Sequence, residues 1–190
     1  WDYEIKNAQV KGLDGYPVFT NKYLTDLNYL VTAKRLVECQ NLDASFATHN
    51  AHSIASLMSL SKSINTKIEF QRLYGMGELL YSACQASYKQ FPETAIYCPI
   101  GRHKELLPYL VRRLLENGAN SSFINKYLNK NIPDIDLAQN PGDKIKERID
   151  HFDISNVPLP SNLYLPRINS KGLDLSDSEQ INILMTKVNQ

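Results

Sequence analysis

The chain of 190 residues is 43% hydrophobic and carries 21 Lys and Arg against 20 Asp and Glu, a formal net charge of +1. That is enough chain for a full-sized hydrophobic core, and the balanced charge excludes a general electrostatic grip on nucleic acid, so DNA binding is not indicated in this segment. With a mean hydropathy of −0.36, no apolar run approaches the roughly 18 residues that a membrane-spanning helix needs. The opening Trp1-Asp2-Tyr3-Glu4 carries no signal-peptide pattern. Cys39, Cys84 and Cys98 are odd in number and form no CxxC pair, which argues against a disulfide framework and for a reducing, cytoplasmic setting.

In chain order, residues 25–39 place Leu27, Leu30, Val31, Lys34 and Leu36 in helical period, with Thr25 and Asp26 as opening residues suited to a cap and to the helix dipole. Three β-rich segments follow, each leading into a helical pattern. Residues 43–48 lead through His49-Asn50-Ala51-His52 into a helix over 53–62. Residues 67–73 lead through Tyr74-Gly75-Met76-Gly77 into 78–89, and residues 94–99 through Ile100-Gly101-Arg102-His103 into 104–117, stopped by Asn117-Gly118. Strand and helix alternating at about 25 to 30 residues is the signature of parallel βα units, in a barrel or a doubly wound sheet. After about Tyr127, prolines at 133, 141, 158, 160 and 166 interrupt a polar stretch. It reads as a connector with a short helix over 142–151 and a last helix from Leu173. Three strands cannot close an eight-stranded barrel, so the sheet is expected to be completed by chain outside these residues.

Ligands of parallel βα folds sit at the C-terminal strand ends. That rule selects Thr48-His49-Asn50, Leu73-Tyr74-Gly75 and Tyr97-Cys98-Pro99. His49 and Asn50 either donate to a ligand there or cap the following helix. His49 and His52 have no suitable third ligand nearby, so no metal is expected. Gly75-Met76-Gly77-Glu78-Leu79-Leu80 imitates a dinucleotide fingerprint, but Leu80 fills the third glycine position, and a tight βα turn is the better reading. Arg112 and Arg113 point about 100° apart on a helix. Glu116 lies at i+4 and i+3 from them and can pair with either. They serve ligands as guanidinium forks or form solvated surface pairs.

Longer motifs decide among these readings. Trp1-Asp2-Tyr3-Glu4-Ile5-Lys6, Gly12-Leu13-Asp14-Gly15-Tyr16-Pro17-Val18 and Phe46-Ala47-Thr48-His49-Asn50-Ala51-His52 come first. Glu69-Phe70-Gln71-Arg72-Leu73-Tyr74-Gly75-Met76-Gly77 and Tyr109-Leu110-Val111-Arg112-Arg113-Leu114-Leu115-Glu116-Asn117-Gly118-Ala119-Asn120 follow in the same order. Together they resemble the proline dehydrogenase domain of bifunctional proline utilization A proteins over nearly the whole chain. The resemblance implies the C-terminal part of a distorted (β/α)8 TIM-like barrel over 1–131, about three parallel strands with flanking helices. A Pro-containing connector over 132–190 would then lead towards an aldehyde dehydrogenase domain.

The activity it implies is FAD-dependent oxidation of L-proline to 1-pyrroline-5-carboxylate, with hydride passing from a ring carbon to flavin N5 and a membrane quinone taking the electrons. This makes the protein cytoplasmic or peripheral at the inner face of the membrane. Arg112 and Arg113 would hold the proline carboxylate, Tyr97 would pack beside the ring, and Leu73 would form an apolar wall. Trp1, Thr20, Thr48, His49, Asn50, Arg113, Glu116 and Phe123 would contact the flavin. The first barrel strands, a substrate-side lysine and aspartate, and a flavin-binding arginine have no counterpart in these residues. They are expected from the rest of the parent polypeptide, and the isolated chain is expected to be inactive. The alternatives are a non-catalytic truncated scaffold or interaction module, and a barrel enzyme for phosphate ligands, which the double arginine and its aromatic neighbours suit less well than a small carboxylate.

Overall fold

The computed structural model describes residues 1–118, 133–150 and 157–189. It divides into two compact units, one formed by residues 26–144 and the other by residues 1–25 with 145–190.

The unit of residues 26–144 holds the sheet. Strands β1 (Ala44–Ala47), β2 (Ile68–Leu73) and β3 (Thr94–Tyr97) lie parallel in the order β1-β2-β3. Ala47 pairs with Gln71 and Leu73 with Tyr97. Helix α2 (Lys22–Glu38) runs into this unit, and α3 (Ala51–Ile64), α4 (Glu78–Ser87) and α5 (His103–Gly118) follow the three strands. This is the alternation expected from the sequence, with strand ends within two residues of those read there.

The core forms where alternate strand residues meet apolar helix faces. Phe46, Ile68 and Phe70 pack with Ala33 and Val37 of α2, Ile54 and Leu57 of α3, and Tyr81 of α4. Phe70 is fully buried, stacked on Phe91 at 5.3 Å and edge-on to Tyr81 at 6.1 Å. Burial of such a ring stabilises the fold by about 1.5–3 kcal/mol.

Residues 1–25 carry α1 (Asp2–Lys11), which the sequence reading did not anticipate. Trp1 O accepts from Ile5 N at 3.0 Å, and Gly12 ends the helix at φ 62°. Described residues from 157 onward pack on this segment. Tyr16 Oη donates to Pro158 O at 2.6 Å, Gly172 N to Gly12 O at 2.6 Å, and Lys171 pairs with Asp14 at 2.6 Å. Short helices α6 (Asp134–Leu137) and α7 (Pro141–Asp150), a 3₁₀ turn (Pro160–Asn162) and α8 (Ser178–Val188) complete the described elements.

Two helix starts differ from expectation. Helix α2 begins at Lys22 rather than Thr25, because Asn21 Oδ1 accepts from Tyr23 N at 2.9 Å, while Thr25 sits one turn in and donates back to Asn21 O. Helix α8 begins at Ser178 rather than Leu173. Asp174 first forms a local turn by accepting from Ser176 N, and Asp177 then caps the helix through Glu179 N at 2.9 Å.

Candidate active site at the strand ends

The segment after β1 is built by local hydrogen bonds. Thr48 Oγ1 accepts from Asn50 N at 3.1 Å, and Asn50 Oδ1 accepts from His52 N at 2.9 Å, capping α3. Of the two roles open to Asn50, helix capping is therefore realised by its oxygen. His49 sits between these bonds with its ring half-buried. Its neighbour is Gly77, the N-cap of α4 at φ 71°, where a Cβ would come within 2.8 Å of His49 Cδ2. Glycine is required there twice over, by backbone conformation and by the ring. Gly75 and Gly77 thus make the βα turn expected from the sequence.

Beyond β3, at the other edge of the sheet, α5 presents Tyr109, Arg113 and Glu116 at i, i+4 and i+7, one face of a helix. Arg113 Nη1 pairs with Glu116 Oε2 at 2.7 Å, and its guanidinium lies 5.3 Å from the Tyr109 ring centroid. Of the two arginines Glu116 could reach, it takes Arg113. Arg112 is exposed a third of a turn away. The Tyr97 hydroxyl at the end of β3 faces that of Tyr109. Burial holds the Tyr97 pKa above the usual phenol value, with Tyr109 and Glu116 acting in the same direction and Arg113 against it.

These two sides are within electrostatic reach of one another. Burial lowers the His49 pKa first. Glu116 opposes that shift, while Arg72 and Arg113 add to it. Arg72 is itself drawn into the β2–α4 turn, donating to Met76 O at 3.2 Å and lying 3.7 Å from Glu78. His49, Arg72, Tyr97, Tyr109, Arg113 and Glu116 therefore form one polar cluster, and Leu73, buried at the end of β2, pairs with Tyr97 across the strand ladder. The sequence reading missed Tyr109 and Arg72. The i−4 spacing of Tyr109 from Arg113 was the available signal for the first. Nothing in the spacing of Arg72 distinguished it.

Trp1 and Thr20 belong to the other unit. Trp1 is 57% exposed and its indole Nε1 donates to Phe19 O at 2.7 Å, while Thr20 is half-buried. Phe123 lies outside the described residues.

Among the described residues, Asn21 Nδ2, His49 Nε2 and Arg113 Nε are buried without a hydrogen-bond partner, and the last two belong to the strand-end cluster. Such groups cost about 1–3 kcal/mol each when left unmet, so the presence of two at one strand-end cluster points to a polar ligand. An imidazole, a guanidinium and their tyrosine neighbours make a donor-rich, partly aromatic set. That chemistry fits a cofactor with anionic and planar parts and a small carboxylate substrate. It offers no acidic cage for a cation.

An open parallel sheet with a donor cluster at its strand ends defines a ligand-binding protein of the parallel βα class. The family comparison narrows this, since residues 1–126 match the model described as "Proline dehydrogenase". The chain belongs to the proline dehydrogenase family. It is 43% identical over 193 aligned positions to "Bifunctional protein PutA" of Salmonella typhimurium, covering 95% of this chain and 15% of that protein. A crystal structure of a bifunctional proline utilization A protein aligns with all of the chain at a TM-score of 0.84 and 42% identity, and covers 19% of the solved chain. The Bdellovibrio bacteriovorus protein, solved after inactivation by N-propargylglycine, aligns at 0.75 and 28%, again over all of this chain and 19% of its own. The chain thus spans about 15% of the length of the curated relative, and its three βα units are part of a TIM-like barrel.

Proposed function

We propose that this chain supplies part of the active site of an FAD-dependent proline dehydrogenase that oxidises L-proline to 1-pyrroline-5-carboxylate within a longer bifunctional polypeptide. The observation that carries the reading is Arg113. Its guanidinium is clamped by Glu116 and Tyr109 within electrostatic reach of Tyr97 and His49, and its Nε is buried and unmet.

In this reading the proline carboxylate lies against Arg112 and Arg113, a charge-assisted contact that orients the ring. Fixing Arg113 in advance through Glu116 lowers the entropy lost when the carboxylate binds. Tyr97 and Leu73 flank the ring, and apolar contact there keeps water from the reacting carbon. When bound, FAD supplies the two-electron acceptor that turns the ring C–N single bond into a C=N bond. Thr48, His49 and Asn50 serve its polar chain, with His49 neutral at physiological pH and Nε2 as its available group. Trp1, Thr20, Glu116 and Phe123 are the further cofactor contacts carried over from the family. Inactivation of the Bdellovibrio relative by N-propargylglycine, a small amino acid with a secondary amine and a carboxylate, agrees with a site for such a molecule.

The wider assignments belong to the same proposal. Residues 1–131 are read as barrel and 132–190 as connector, a membrane quinone takes the electrons from a protein that is cytoplasmic or peripheral at the inner face of the membrane, and the isolated chain does not turn over proline. No helix of the described residues is long and apolar enough to cross a membrane.

Arg112→Met and Arg113→Met test the substrate assignment in a polypeptide completed with the remaining barrel segments. Each is expected to raise KM for proline by about tenfold or more, the size of one charged hydrogen bond. An unchanged KM in both would remove these arginines from the substrate site.

A further inference from the structure

We infer that Tyr81 is a positioning residue: its phenol takes the place of the missing rung between β1 and β2 and sets the height at which Thr48, His49 and Asn50 leave the sheet. The two strands stop at different places. Strand β1 ends at Ala47, paired with Gln71, whereas β2 continues through Arg72 and Leu73, which pair only with Ile96 and Tyr97 of β3. The ladder on that β3 side runs on, Tyr74 N donating to Tyr97 O at 2.8 Å. On the β1 side, the fork between the diverging strands receives the Tyr81 hydroxyl. It lies 2.9 Å from Thr48 O and 3.2 Å from Gln71 O, one proton shared between two carbonyls.

The phenol is held there firmly. Tyr81 is 2% exposed, edge-on to Phe70 at 6.1 Å and to Phe91 at 6.2 Å. Its backbone N donates to Gly77 O at 3.0 Å, and Gly77 is the residue that abuts the His49 ring. One turn of α4 therefore bears on the His49 segment twice, through the Thr48 carbonyl and through the close approach of Gly77 to the imidazole at Cδ2. Burial raises the Tyr81 pKa far above the usual phenol value, so the hydroxyl remains a donor at any working pH. The neighbouring Tyr29 hydroxyl donates to Ala47 O at 3.4 Å, one residue short of the fork, and does not bridge the two strands.

The bearing of this device on flavin rests on the proposed function, but its test needs no flavin, so failure of one reading is distinct from failure of the other. In the full chain, Tyr81→Phe is compared with Phe91→Leu, which loosens the same ring cluster and keeps the hydroxyl. Two readouts are followed by NMR, the titration of His49 and the exchange rate of the Asn50 amide. Tyr81→Phe is expected to raise the proton affinity of His49 by about threefold and to speed Asn50 exchange by about fivefold, the scale of one net hydrogen bond. The groups that act on His49, namely Glu116, Arg72 and Arg113, are intact in both variants. Phe91→Leu is expected to lower stability and to move both readouts much less than Tyr81→Phe does, because the hydroxyl and its two carbonyl partners remain. Wild-type values in Tyr81→Phe, or equal changes in Phe91→Leu, would overturn the assignment. Should Tyr81→Phe not fold, the wild-type chain decides: a slowly exchanging tyrosine hydroxyl proton with through-space contacts to Thr48 and Gln71 supports it, and the absence of that signal at low temperature overturns it.

Discussion

The two sides of the sheet contrast sharply. Around β1 and β2, Phe70, Ile54 and Leu57 are fully buried and the helices α3 and α4 close over them. Around β3 and α5, Ile96 is 51% exposed, Leu114 70% and Leu115 71%. The site draws on both sides, taking His49 from the packed one and Tyr97 and Arg113 from the open one. What differs is how each side chain is held. His49 is positioned by core packing transmitted through α4, whereas Arg113 is positioned by its own helix neighbours, Tyr109 and Glu116. A site residue on a poorly covered helix can still be ordered when i−4 and i+3 partners grip it.

Substitutions can break this contrast or sharpen it. The largest effect is expected from Phe70→Ala, which removes a fully buried ring from a stack of aromatics and should cost about 3–5 kcal/mol. Leu114→Ala, of similar chemistry on the open side, should stay within about 0.5 kcal/mol. Denaturant titration of both variants checks the pair, and equal losses would mean that the open side is covered in solution. Asn50→Ala removes the cap of α3 on the packed side and should cost about 1 kcal/mol.

The smallest effect concerns pH. Burial holds the His49 pKa below its ordinary 6.5, so the folded state favours the neutral ring. The stability this contributes is fully present above pH 6.5 and is lost as pH falls below 6.5 through the lowered folded value. His49→Gln should flatten the fall in stability over that acidic range, as followed by thermal melts. An unchanged slope would place the titrating group elsewhere.

Much of this was legible in the sequence because the relevant signals are short in range. The β-rich segments 43–48, 67–73 and 94–99 mark the strands, and the glycines of Tyr74-Gly75-Met76-Gly77 mark the turn. Those signals located the strand ends and therefore His49, Leu73 and Tyr97. Helix α1 was missed because its buried Ile5 and Ala8 are too few to give a helical period. The start of α2 was misread because Asn21 and Thr25 are both good capping residues, and only the Asn21 bond to Tyr23 N separates them. Arg72 and Tyr81 act across strands and turns. Their hydrogen-bond acceptors Met76 O, Thr48 O and Gln71 O are backbone atoms, which leave no trace in side-chain spacing, and Glu78, the ion-pair partner of Arg72, lies across the turn at the start of α4.

The central claim is that these residues are one part of a flavin-dependent proline oxidising site, with the remaining grip supplied by further barrel segments. Its most direct test is the visible absorption spectrum after incubation with FAD and desalting, before and after L-proline is added. It is recorded for the 190-residue chain and for one completed with the N-terminal barrel segments of a bifunctional relative. The account predicts a colourless chain alone and a yellow completed protein that bleaches with proline. Flavin retained and bleached by the chain alone, or no flavin on the completed protein, would contradict it.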